Sequence, residues 1–161
     1  MVKSKDNHME CEIKWNAGEG ISFAAKTGSG HLIVLDTAKD ATEATIGPRP
    51  MEAFLVGAVA CTQYDLVAGI KQAGGVLHSC KALANGVRNK NSPKIFTQIS
   101  VHFSIASDNI SKEVVQQILD ASRDVHGSAM KMLGRSAEIL FDFELLSSDS
   151  LLRTNKTKKL R

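Results

Sequence analysis

Cys61 is the residue in this chain best placed for chemistry. It stands inside the most apolar helical stretch, with Phe54-Leu55-Val56-Gly57-Ala58-Val59-Ala60 before it and Thr62-Gln63-Tyr64-Asp65-Leu66-Val67 after it. A thiol on such a helix is either an inert small hydrophobe or a sheltered redox nucleophile, and the residue type alone allows both. The other two cysteines, Cys11 and Cys80, are far from it in sequence, and no CxxC pair occurs. That spacing argues against a structural zinc site and against a disulfide scaffold. His78 and His102 fall on strand faces with no metal-ligand spacing to each other or to Cys80, so no metal is expected. Gly18-Glu19-Gly20 and Gly28-Ser29-Gly30 are followed by strands rather than helices, which makes them hairpin turns and not phosphate loops.

The elements that must position Cys61 follow from periodicity. Met9, Cys11, Ile13 and Trp15 alternate with Glu10, Glu12 and Lys14, the pattern of a half-buried strand. Short strands near Ile21–Ala25 and His31–Asp36 complete a meander. Pro48-Arg49-Pro50 then stops any strand and opens a helix, because proline is tolerated at first helical positions. The helix runs to a glycine stop at Gly74-Gly75. Its roughly 24 residues span about 36 Å. Its first half is apolar on all sides, so burial all round is expected.

Val76 to Arg88 reads as a strand, and Phe96 to Ala106 as the clearest strand of the chain. Ser111 is placed to cap a second helix, a short helical segment is expected near Ser128 to Leu133, and a last strand near Ala137 to Leu146. The order β-β-β-α-β-β-α-α-β is an α+β arrangement.

Composition narrows the function. The chain has 161 residues, suited to one domain or to one protomer of an intertwined dimer. No run of about 18 apolar residues is free of charge, so no membrane span is expected. Met1 to His8 is polar and lacks an apolar signal region, which points to a flexible start (1–8) and a cytoplasmic protein. The net charge of +3 comes from the end: five of the 20 bases lie in the last ten residues, leaving 15 against 17 acids. A solvated basic tail over 147–161 is expected. The single Trp and single Tyr, with no interleaved basic motif, argue against a nucleic-acid partner.

Pro50-Met51-Glu52, the apolar helix and Ala60-Cys61-Thr62 together resemble the OsmC/Ohr family, the osmotically induced and organic hydroperoxide resistance proteins. Ser92-Pro93-Lys94-Ile95-Phe96-Thr97 resembles the family's Pro-x-x-Phe-Thr entry to its long strand. Ser122 to Leu133 and then Glu138 to Glu144 resemble its C-terminal helix and strand. The likeness covers residues 9–146 and is greatest to the shorter bacterial OsmC-like branch. It implies an OsmC-like fold: antiparallel sheets wrapped around long central helices in an intertwined homodimer. A partner helix would then cover the all-apolar half of the cysteine helix.

The resemblance also implies a reaction. Family peroxidases reduce small hydrophobic peroxides with a thiolate, which becomes a sulfenic acid; a second cysteine closes a disulfide and a dithiol resets the pair. Cys61 matches the first cysteine. The second is missing, since Gly127 stands in its place within Asp124-Val125-His126-Gly127-Ser128. An external thiol reductant is then required, and no cofactor is implied. The family's thiolate is held by an arginine oriented by a glutamate. Glu52 resembles that glutamate but lies nine residues before Cys61, about 900° of helix and roughly 13 Å, so it faces the other way and would meet a cysteine only across the dimer. Its plain role is a first-turn acid at the positive end of the helix dipole. No arginine precedes Arg49, which leaves Arg49 and Arg88 as candidates by sequence position and Lys14 as a base without the bidentate fork. His126 adjoins the lost cysteine, as a base or a group lining the site with Gly127. The expectation is therefore a one-cysteine hydroperoxide reductase acting through Cys61, with Glu52 and Arg49 as charged partners. The alternative is a non-catalytic dimer that binds a small apolar ligand.

Overall fold

The structure is a computed structural model that describes residues 8–17, 20–37 and 45–148. The expected N-terminal extension and most of the basic tail lie outside the described residues. The chain divides into two compact units, with the division after Val56, inside the first helix.

The first unit is a meander of β1 (Cys11–Asn16), β2 (Ile21–Thr27) and β3 (Leu32–Thr37), paired in the order β1-β2-β3 and antiparallel throughout. The register puts Trp15 opposite Phe23 and Ile13 opposite Ala25, with Leu35 and Ile33 on the far side of the same two residues. One face is therefore apolar and the other carries Glu12, Lys14 and Lys26, as a period of two demands.

The cysteine helix α1 is Pro50–Gln72, close to the expected span. It stops where glycine allows it: Gly74 takes φ 84°, and Gly75 donates to the Ile70 carbonyl at 2.9 Å. Within the single chain, burial is one-sided. The fully covered positions are Ala58, Val59, Thr62, Leu66 and Ile70, a stripe at helical spacing, while Phe54, Val56 and Tyr64 are exposed. One chain supplies covering elements for one side only. By length and composition alone α1 also meets the requirement for crossing a membrane. Its second half, however, is packed as a core helix: Leu66 and Ile70 are fully buried, and Gly69 sits so close to Ile118 that a Cβ there would meet that side chain at 2.8 Å.

The second unit holds a sheet of β4 (Val76–Arg88), β5 (Phe96–Asp108) and β6 (Glu138–Leu146), with β5 in the middle. β4 pairs antiparallel with β5, but β6 runs parallel to it. The sheet is thus mixed rather than purely antiparallel. The reason is the connection: a parallel neighbour needs a crossover, and α2 (Lys112–Ala121), a π-helical turn (Ser122–His126) and α3 (Ser128–Leu133) provide it. Ser111 caps α2 as its sequence suggests, its hydroxyl accepting from the Val114 N–H at 3.4 Å. The core lies on the face of β5 that carries Ile99, Val101, Phe103 and Ile105, all essentially buried. Phe103 meets Phe141 of β6 edge to face, with centroids 5.9 Å apart.

Candidate functional site

α1 carries Cys61 one residue off the buried stripe, so its thiol faces outward. Within the single chain it is exposed, on the half of α1 that a partner helix is expected to cover, and all three cysteines are free thiols. Cys61 opens into a shallow cleft of about 370 Å³ lined by Ala60, Cys61, Tyr64, Asp65, His126 and Ser128. Cys61 and Asp65 share a helix face at i and i+4 spacing. His126 and Ser128 come from the far end of the crossover, on either side of Gly127.

The crossover is fastened to α1 by one buried bond. The Ser122 hydroxyl donates to Asp65 Oδ2 at 2.7 Å, and Ser122 is 1% exposed. Ser122 opens the π-helical turn and His126 closes it. Gly127 follows with φ −70° and ψ 92°. A Cβ at Gly127 would collide with the Ser122 carbonyl oxygen and lie 2.9 Å from its carbonyl carbon. Glycine is required here by closeness and not by φ, so no side chain, a thiol included, fits this backbone at position 127.

The cleft's lining comes wholly from the second unit, whereas Arg49 and Glu52 belong to the first. There the Arg49 N–H donates to Glu52 Oε2 at 2.9 Å, which makes Glu52 the first-turn cap of α1. Arg88 donates through Nε to the Lys94 carbonyl at 2.6 Å and lies 6.0 Å over the Phe96 ring, bracing the β4–β5 hairpin. Lys14 pairs with Glu12 at 3.0 Å. Arg123, within the π-helical turn, is held by Asp124 at 2.8 and 2.9 Å and by Asp120 at 3.2 Å. These acids keep its guanidinium charged. Among the described residues, His126 is therefore the one side chain lining the cleft that can carry positive charge.

Cys80 lies on the core face of β4 opposite Ile105, and burial pushes its thiol pKa up, partly offset by hydrogen bonding from Gln63. His78 and His102 are paired with Asp108 and Asp142, both at 2.9 Å. A smaller cleft of about 280 Å³ lies beside Cys11, lined also by Glu10, Glu12, Lys26, Thr27 and Gly28. Sequence reasoning missed two parts of the Cys61 site, Asp65 and Ser122. The i and i+4 spacing of Cys61 and Asp65 was the available signal for the first; nothing local marks the second.

Fold and site define an α+β protein that presents a solvent-facing thiol from a long apolar helix, beside a histidine on the crossover. A family model described as "OsmC-like protein" matches residues 40–140, and the chain belongs to that family. It is 26% identical over 140 residues to Protein YhfA of Escherichia coli K12, covering 87% of this chain and all of that one. The fold is similar to the OsmC-like protein from Mycoplasma pneumoniae, with a TM-score of 0.72, 21% identity and coverage of 88% and 99%. It is also similar to a Legionella pneumophila protein described as an organic hydroperoxide resistance protein OsmC and predicted redox protein. There the TM-score is 0.60, with 13% identity and coverage of 85% and 96%.

Proposed function

We propose that this chain is a thiol protein of oxidative-stress defence that reduces organic hydroperoxides through Cys61 alone. The observation that carries the reading is the position of the Cys61 thiol, exposed in a cleft with His126 in a chain of the OsmC-like family. The hydroperoxide is taken from the description of the Legionella relative.

In the reaction the Cys61 thiolate attacks the terminal peroxide oxygen and the O–O bond breaks. Sulfur is oxidised to a sulfenic acid, and the leaving alkoxide takes a proton to become an alcohol. His126 is the group in the cleft able to hold and pass that proton. An external thiol then attacks the sulfenic sulfur, water leaves, and a second thiol releases the mixed disulfide. This chemistry suits a reducing cytoplasm. Each unit also shows apolar surface, Trp15 and Ile13 in one and Tyr64 in the other, which a second copy of the chain would cover in a homodimer.

The test is stoichiometric. Cumene hydroperoxide is added and Cys61 followed by intact mass. A sulfenic acid or mixed disulfide on Cys61, and loss of peroxide consumption in Cys61→Ser, are expected; neither appearing sinks the reading. A second reading is a non-catalytic dimer binding a small apolar ligand. The bar to a side chain at position 127 and the lack of an arginine among the described residues lining the cleft favour it. A co-purifying apolar ligand displaced by blocking Cys61 would then be found instead of turnover.

A further inference from the structure

Ser122 does not line the cleft, yet it carries one of the few buried polar contacts in the second unit. Its hydroxyl reaches 57 residues back along the chain to Asp65. Asp65 stands one helical turn after Cys61 on the same face, and both line the cleft. The segment that starts at Ser122 is wound as a π-helical turn rather than continuing α2, and such turns concentrate at functional sites. The turn ends at His126, which lines the same cleft as Cys61. Directly after it, Gly127 seats against the Ser122 carbonyl, so the turn is closed at both ends on the same residue.

We propose that the Asp65–Ser122 hydrogen bond is a positioning clamp that holds His126 at Cys61. The proposal rests on the reading of Cys61 as the reacting thiol. The clamp works because both of its partners are fixed independently of the cleft. Asp65 rides on the helix that carries the thiol. Ser122 is the first residue of the turn that carries the imidazole. A charge-assisted bond at 2.7 Å with its donor buried leaves little freedom between the two. Arg123 and Asp124, between Ser122 and His126, are bonded to each other, which stiffens the turn from outside. Neither Ser122 nor Asp65 touches the peroxide in this scheme; they are positioning residues, and His126 is the group they place.

The test uses iodoacetamide alkylation of Cys61 in the full chain at neutral pH, with Cys11 and Cys80 replaced by Ser so that one thiol is read. His126→Gln is expected to slow alkylation about three- to tenfold. Ser122→Ala is expected to slow it to the same level, and Ser122→Thr, which keeps the donor, to stay within about twofold of the parent. The double variant is expected to be no slower than His126→Gln alone, which a merely structural loss would not produce. Should Ser122→Ala fail to fold, Asp65→Ala breaks the same bond from the helix side. Parent-like alkylation in Ser122→Ala or Asp65→Ala overturns the clamp, as does a His126→Gln variant with no effect. Alkylation needs no peroxide, so a protein that shows the clamp but consumes no hydroperoxide separates the two readings.

Discussion

Gly127 lies so close to the carbonyl of Ser122 that no Cβ fits between them. In the resemblance drawn from sequence, position 127 is where a resolving cysteine would stand. The backbone just after the π-helical turn leaves no room for a side chain at that position. Gly127→Cys is expected to form no disulfide with Cys61 and to lose about 1–3 kcal/mol of stability through overpacking. Thiol titration after mild oxidation, with a urea unfolding curve, checks both; a stable variant with two thiols fewer would overturn the expectation.

The three cysteines should separate by reactivity. Cys11 and Cys61 are exposed, whereas Cys80 is half-buried on the core face of β4 and burial raises its pKa. Brief alkylation of the native protein near neutral pH is expected to label Cys11 and Cys61 and to spare Cys80. Peptide mapping reads the result. Equal labelling of Cys80 would mean that the β4 edge opens readily.

Thr62, next to Cys61, is fully buried and its hydroxyl has no hydrogen-bond partner among the described residues. An unsatisfied hydroxyl in the core is a liability that an apolar group of similar shape removes. Thr62→Val is expected to raise stability by about 1 kcal/mol, seen as a higher urea midpoint with an unchanged slope. A lower midpoint would show that the hydroxyl has a partner in solution.

Asp108 ends β5 and gathers donors from Ser148 and His78. The Ser148 N–H bonds Oδ1 at 3.0 Å and His78 Nε2 meets Oδ2 at 2.9 Å. These bonds, the Ser148 backbone first, lower its pKa from 3.8 to about 2. A depressed carboxylate stabilises the fold above its unfolded-state pKa, and that stability is lost as pH falls through the folded value. Asp108→Asn is therefore expected to flatten the pH dependence of stability between about pH 4 and 2. Thermal unfolding across that window is the measurement, and parallel curves for the two proteins would refute it.

Much of the fold was legible before any coordinates. Every strand and helix of the expected order is present, and β4, α3 and the limits of α1 fall where periodicity, Pro50 and the glycine stop put them. The address of Cys61 on α1 was legible too. These are local properties: a proline, a cap or an alternation acts within a turn or two of the chain. Tertiary structure decided the rest. A helix stretch that is apolar all round carries no signal for which side its own chain will cover, so only packing showed that Cys61 faces out. Parallel pairing of β6 depended on the crossover and not on the strand's own residues. The Asp65–Ser122 bond joins positions 57 residues apart, and the contact between Gly127 and Ser122 exists only because the turn is wound as a π-helix. Sequence determined which thiol and which helix. The covering of one helix face and the winding of one turn decided that, within the single chain, this thiol opens into a cleft that His126 also lines.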